Sequence, residues 1–224
     1  MYKFSSILAL LLLLTNCTLA PKKADCGCKF KQDLLVLAQK KSLAAENTED
    51  LREKSKLARD GIALASQCLL RNKNNVGCYY YRAVNRGLDL QTRTIAVKKG
   101  LNQMVADFNT VLKLEDKYDD GGAYLALGYV YLKAPSLPVL GSNLKRDLKR
   151  AHSMSENALR IAPKNPHNLK LAGEIAYKLR KYATATSYFK KAKKNLPPSS
   201  KLTLNEEKLK QSLIKWVKKA KKRL

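Results

Sequence analysis

The stretch PHNLKLAGEIAYKLRKYATATSYFKKAKKNLP, residues 166–197, decides the fold of this chain. Its small and apolar residues recur at helical spacing. Gly173 and Ala185 are small enough for two antiparallel helices to cross closely, and Phe189 is placed to fill the groove beside them. Pro197 cannot continue a helix because it lacks a backbone N–H. The stretch therefore predicts a helical hairpin.

The spacing of these residues is typical of a tetratricopeptide (TPR) repeat, W-x₂-L-G-x₂-Y…A-x₃-F…P. The matching positions are Leu169, Ala172, Gly173, Ala176, Ala185, Phe189, Ala192 and Pro197. A second copy upstream uses Tyr124, Leu127, Gly128 and Tyr131, then Ala151, Ala158 and Pro163. About eleven extra residues, including 134–141, interrupt this second copy relative to the repeat pattern.

Apolar stripes of helical period also run through residues 29–46, 48–70, 92–114 and 203–224. No segment alternates as a strand would. The sequence therefore predicts an all-α fold of about nine or ten helices, in which TPR-like hairpins stack into a right-handed α-solenoid. The concave side of such a stack is either an open groove or an enclosed cavity.

The N-terminus resembles an export signal. Lys3 precedes the apolar run 4–14, which is too short for a membrane span. Two processing sites compete. Thr18-Leu-Ala20 has small residues but would leave Pro21 first, whereas Leu14-Thr-Asn-Cys17 resembles a bacterial lipobox in which Cys17 receives lipid. We favour the lipobox, and an ordinary secreted protein is the alternative.

On this interpretation residues 1–16 are a lipoprotein signal peptide, 17–28 a lipidated tether and 29–224 the TPR-like domain, at the periplasmic face of a bacterial membrane. The chain carries 44 Lys and Arg against 18 Asp and Glu, a net charge of +26. On an exported protein this charge favours an anionic surface or partner. Nucleic acid is not expected, because no aromatics interleave with Arg to stack bases.

Four further cysteines, Cys26, Cys28, Cys68 and Cys78, form an even set in an oxidising compartment. If the first two helices are antiparallel, Cys26 and Cys28 come close to Cys68, and Cys78 opens the next helix at the same end. We favour disulfides that hold the N-terminal hairpin, with the connectivity open. A zinc site is the weaker alternative because the spacings differ from C-x₂₋₄-C, and free thiols are the third.

Catalytic chemistry has little support in the sequence. His152 and His167 have no nearby cysteine or paired carboxylate, and no glycine loop cradles a phosphate. Gly121-Gly122 instead indicates a turn that starts a helix. We therefore expect no enzymatic activity, no cofactor and no metal.

Binding is the remaining expectation. In TPR hairpins the first helix lines the concave side, whose exposed positions here are Tyr80, Leu125, Tyr129, His167, Lys170, Glu174 and Tyr177. Tyrosine suits an amphipathic ligand or peptide, because it offers rigid apolar area and a polar tip. The equal alternative is that these tyrosines pack between neighbouring helices.

The interrupted repeat resembles a known family. The runs Gly121–Gly128 and Tyr131–Pro135, followed by Pro138 and Gly141, are similar to the T components of TRAP transporters, also called TatT. Those proteins are small TPR lipoproteins that accompany periplasmic solute-binding subunits. The resemblance also includes Glu156, Ala158, Pro163, Asn168, Ala172, Tyr79–Ala83 and Gly87. It covers about residues 50–195 and departs from the family's pattern at Gly141-Ser-Asn-Leu144, where the family has Gly-Asp.

The resemblance implies a membrane-anchored adaptor that binds a periplasmic solute-binding protein and assists TRAP-type uptake of a small hydrophobic or organic-acid ligand. It also implies a pore through each protomer and a homotrimer. Leu137 and Leu140 of the apolar insertion are expected to cover the groove or to contact the partner. The alternatives are a general TPR scaffold lipoprotein in envelope assembly and a carrier of apolar ligands acting alone.

Overall fold

The computed structural model describes residues 26–93, 97–135 and 144–224, without the side chains of residues 26–33 and Ser199. The predicted lipidation residue Cys17 and the predicted docking residues Leu137 and Leu140 lie outside the described residues. The described part holds nine α-helices: α1 Cys26–Asn47, α2 Leu51–Arg71, α3 Val76–Leu90, α4 Val97–Leu114, α5 Tyr118–Lys133, α6 Leu148–Ile161, α7 Pro166–Lys178, α8 Tyr182–Lys194 and α9 Leu204–Lys221. A short 3₁₀ helix, Ser199–Lys201, precedes α9.

The helices stack as successive hairpins. Each helix packs on the next in the chain, and the odd-numbered helices α1, α3, α5 and α7 also contact one another in succession. These four helices therefore line one side of the stack, which we call the odd-helix side. It corresponds to the side that the sequence predicted to be concave. The structure confirms the prediction of an all-α stack of helical hairpins.

The packing inferred from residues 166–197 is confirmed. Ala185, Phe189 and Ala192 of α8 have no exposed surface. A Cβ added to Gly173 of α7 would lie 2.5 to 2.9 Å from three ring atoms of Phe189. Because carbon atoms cannot approach so closely, only glycine lets α7 and α8 cross at this distance.

The interrupted repeat forms the α5–α6 hairpin. Ala151 and Ala158 of α6 are fully buried, and a Cβ on Gly128 would lie 2.5 Å from Leu171 Cδ2. The two ends of the insertion meet. The Arg146 N–H donates to the Pro135 carbonyl at 2.7 Å, and the Asp147 N–H donates to the Tyr131 carbonyl at 3.0 Å. These two hydrogen bonds, which we call the neck, hold α5 and α6 together across the insertion.

A left-handed turn precedes the main part of α5. Asp119, Asp120 and Gly121 have φ angles of 51°, 54° and 76°, and regular helix follows from Gly122. The predicted helix-start turn at Gly121-Gly122 is therefore confirmed. Left-handed backbone costs a residue with a Cβ about 1–2 kcal/mol. The hydroxyl of Tyr80 donates a hydrogen bond to the Asp119 carboxylate and so stabilises the turn.

A disulfide joins the end of α2 to the start of α3. Cys68 and Cys78 are bonded, with their Cα atoms 6.2 Å apart and both side chains fully buried. The two cysteines lie where the sequence analysis predicted them, at the end of the second helix and the start of the third. These two sulfurs are therefore not available as zinc ligands. Cys26 and Cys28 lie in the first turn of α1, which begins three residues before the predicted Lys29.

Candidate functional site

Four side chains meet between α5 and α7 on the odd-helix side. Tyr129 and Lys133 lie one turn apart on α5, and Lys170 and Glu174 lie one turn apart on α7. Residues four apart on a helix share a face. Buried Leu132, Ala151, Leu171 and Ile175 form the apolar layer that positions the two helices here. We call the four polar residues the Glu174 cluster.

Glu174 is the centre of this cluster. Its Oε1 accepts a hydrogen bond from Lys170 Nζ at 2.6 Å, and its Oε2 pairs with Lys133 Nζ at 2.7 Å. Lys170 Nζ also donates to the Tyr129 hydroxyl at 3.2 Å, and that hydroxyl lies 3.5 Å from Glu174 Oε1. Both ammonium groups lie over the Tyr129 ring, 5.3 and 5.8 Å from its centre.

The cluster combines a buried carboxylate with two ammonium groups. The Glu174 side chain is 3% exposed, so its charge needs partners to offset the loss of hydration. Burial raises the pKa of Tyr129 well above its ordinary value, and the Glu174 charge and hydrogen bond raise it further. The tyrosine is therefore a neutral hydrogen-bonding group at physiological pH. With one anion and two cations, the cluster keeps one surplus positive charge.

Lys133 is the member of the cluster that solvent reaches. Its side chain is 60% exposed, whereas that of Lys170 is 17% exposed. An ammonium group has three N–H donors, and the pair with Glu174 occupies one of them. The arrangement can therefore bind an anionic group at Lys133 while the Tyr129 ring offers apolar contact beside it.

A second group of polar side chains, the tyrosine cluster, lies between α1, α3 and α5. The Tyr80 ring packs 5.3 Å from the Tyr81 ring and 5.2 Å from the Tyr118 ring. Burial raises the pKa of Tyr80, with the Asp119 charge adding to it, and raises the pKa of Tyr81 to about 12. Burial also raises the pKa of Glu46. The tyrosine cluster thus contains the carboxyl groups of Glu46 and Asp119, whereas the Glu174 cluster has one surplus positive charge.

The structure brings together three of the predicted binding residues, Tyr129, Lys170 and Glu174. Leu125 lies half-buried against the apolar layer below them. The other predicted residues have different surroundings. Tyr80 is only 8% exposed, and Tyr177 packs against Tyr182 and Trp216, with ring centres 5.2 Å apart in each case. For these two tyrosines the structure favours the packing alternative.

His167 is exposed in the first turn of α7, where its backbone N–H donates to Asn165 Oδ1 at 2.9 Å. Lys133 is the member of the Glu174 cluster that the sequence analysis did not single out. It lies one helical turn after Tyr129, so the same face of α5 could have included it.

Comparison with known proteins gives no match to any family model or any curated protein. Within the described ranges, no three His, Cys, Asp or Glu residues are grouped so that they could hold a metal ion. None of the helices described has the length and apolar character needed to cross a bilayer.

Proposed function

We propose that this chain is a membrane-anchored TPR adaptor that binds a periplasmic solute-binding protein and assists TRAP-type uptake of a small hydrophobic or organic-acid ligand. Its motif residues around the α5–α6 and α7–α8 hairpins support the TPR assignment, because Gly128 and Gly173 lie at the close helix contacts that the pattern requires. A homotrimer, as in the family that the sequence resembles, is part of this proposal.

The observation that carries the proposal is the surplus positive charge of the Glu174 cluster. A carboxylate on the ligand pairs with Lys133, and its apolar part lies against the Tyr129 ring. Lys170 and Glu174 keep the exposed lysine in position, because Glu174 is bonded to both ammonium groups. An organic acid with an apolar body has both features that this site can bind, a carboxylate for the Lys133 ammonium group and an apolar surface for the Tyr129 ring.

The first test concerns the partner. Full-length protein is cross-linked in cells, and the linked proteins are identified by mass spectrometry. We expect a periplasmic solute-binding protein. Cross-links only to envelope-assembly proteins would replace the proposal with the scaffold alternative, and linkage to no other protein would favour a carrier that acts alone.

The second test concerns the ligand. Native mass spectrometry of the purified protein identifies a retained organic acid, and calorimetry then gives its affinity. Replacing Lys133→Gln should weaken binding about three- to tenfold, as expected for the loss of one charge-assisted contact. Lys190→Gln is the matched control, since Lys190 is an exposed lysine on α8, outside the cluster. Equal affinity in both variants would exclude the Glu174 cluster as the ligand site.

A further inference from the structure

A groove with an excess of cationic side chains lies on α2, α3 and α4. Its volume is about 350 Å³, and its lining includes Arg59, Arg86, Arg93, Lys99 and Asp89. Arg59, Arg86 and Lys99 come from three helices, and Arg93 lies in the connection after α3, so the fold and not a local sequence run brings these residues together. Pockets of this size hold small molecules. We call this the arginine groove.

The carboxylate at the base of the groove holds two of its arginines. Asp89 is 8% exposed and accepts a hydrogen bond from Ser55 Oγ at 2.9 Å. It pairs with Arg59 Nε at 3.2 Å and with Arg93 Nη2 at 2.5 Å. Because a guanidinium has five N–H donors, each arginine keeps donors beyond these pairs.

Asp107, beside the groove, likewise holds two arginines. It accepts two hydrogen bonds from Arg82, at 2.9 and 2.6 Å, and a third from Arg86. The groove and its supports thus combine five cationic side chains with two carboxylates. A network that only tied helices together would need no such surplus of positive charge.

Two potential donors in the groove, Arg93 Nε and the Lys99 ammonium group, have no acceptor among the described residues. Arg93 Nε is buried and has no hydrogen-bond acceptor there. Lys99 is exposed and forms no ion pair with any residue that the structure describes. Buried polar groups are nearly always hydrogen-bonded, so this guanidinium N–H is a donor that an acceptor oxygen of a ligand could satisfy.

Two electrostatic features of the groove favour the binding of an anion. Lys99 lies in the first turn of α4, where the helix dipole adds partial positive charge. Burial lowers the pKa of Arg86, as does the nearby Arg82, while the Asp107 charge opposes this. A bound anion would offset this concentration of positive charge.

We propose that the arginine groove binds a phosphate group carried by a small organic molecule or a lipid. A phosphate has three acceptor oxygens and close to two negative charges, which matches several guanidinium donors and one ammonium group. Ile62 and Leu90 provide an apolar wall for the organic part. The site does not depend on the proposed function, because the Glu174 cluster lies between α5 and α7.

The test compares two adjacent lysines. Calorimetry with inorganic phosphate and butyl phosphate, at constant ionic strength set with sodium chloride, gives affinities for wild type, Lys99→Gln, Lys99→Arg and Lys98→Gln. Lys98 is also exposed on α4 but does not line the groove. We expect about three- to tenfold weaker binding for Lys99→Gln and less than about twofold change for the other two variants.

The same variants are mixed with phosphatidylcholine vesicles with and without phosphatidic acid. Binding to phosphatidic acid that Lys99→Gln weakens and Lys98→Gln does not identifies a lipid as the source of the phosphate. Binding of butyl phosphate without such vesicle binding identifies a soluble ester. Absence of binding to all three phosphate probes, or equal losses in Lys98→Gln and Lys99→Gln, would overturn the proposal.

Discussion

Lys208 Nζ of α9 lies 3.1 Å from Glu49 Oε1, in the connection between α1 and α2. The two residues are 159 positions apart, so the last helix of the stack reaches its first hairpin. Both side chains are exposed, 49% for Lys208 and 86% for Glu49. Exposed ion pairs contribute little, because water screens them and the long side chains lose entropy.

Lys208→Gln should therefore lower the free energy of unfolding by less than about 1 kcal/mol. Urea unfolding monitored by circular dichroism measures this change. A loss of several kcal/mol would show that the contact between the two ends of the stack depends on this ion pair.

Gly173→Ala should destabilise the protein by about 1–3 kcal/mol, because the new methyl group overlaps the Phe189 ring. Gly87→Ala is the matched control. Its nearest neighbour to an added Cβ is Met104 Sδ at 3.2 Å, on a flexible side chain. Alanine also favours helix over glycine by up to about 1 kcal/mol. Similar losses in both variants would contradict the close α7–α8 contact.

Replacing Cys68 and Cys78 together with serine should cost about 3 kcal/mol. The disulfide closes a loop with a sequence separation of 10, and a loop of this size restricts the unfolded chain by about that amount. Urea unfolding with and without reductant measures the effect. Wild type in reductant should resemble the double variant in oxidising buffer, and unchanged stability in both would exclude this disulfide.

Stability should fall at alkaline pH. The pKa of Tyr81 is raised to about 12 in the folded protein, so the unfolded chain loses this proton first. The stabilising contribution is complete below the ordinary tyrosine pKa of about 10 and is lost as the pH rises towards about 12. Tyr81→Phe should reduce this decrease in the free energy of unfolding by about 1 kcal/mol, after allowance for solvent screening. Tyr188→Phe, outside the tyrosine cluster, is the control, and identical pH profiles would contradict the prediction.

Cys17→Ser should release the protein from membranes without changing its helicity. Acyl chains supply about 0.8 kcal/mol for each buried methylene, so they dominate the attachment. Fractionation in low and high salt, with circular dichroism of the released protein, gives the result. A variant that stays bound in high salt would exclude the lipid anchor, and release of wild type by salt alone would assign the attachment to its charge.

The residues at which neighbouring helices touch could be predicted from the sequence. Small and apolar residues that recur at helical spacing lie on one face of a helix, and that face packs against the next helix. Gly173 and Phe189 are an example, since the repeat pattern alone places them together. The Glu174 cluster was only partly predictable. Lys133 on α5 pairs with Glu174 on α7. This contact depends on how the two helices are aligned, and the spacing of residues within one helix does not predict that alignment. Tyr80 was expected to face a ligand, but its hydroxyl donates a hydrogen bond to Asp119 in the turn before α5. The sequence predicted a turn at Gly121-Gly122 but not this contact across two helices.

The neck between α5 and α6 makes the stack a natural scaffold for grafting. Pro135 and Tyr131 accept the hydrogen bonds from Arg146 and Asp147, and Arg146 Nε also donates to the Ala134 carbonyl at 3.2 Å. These hydrogen bonds thus fix the distance between the described residues on either side of the insertion. We expect that segments of other lengths and sequences, such as an epitope or a fluorophore-binding peptide, can replace residues 136–143 while α5 and α6 keep their register, because the neck bonds lie outside the replaced segment.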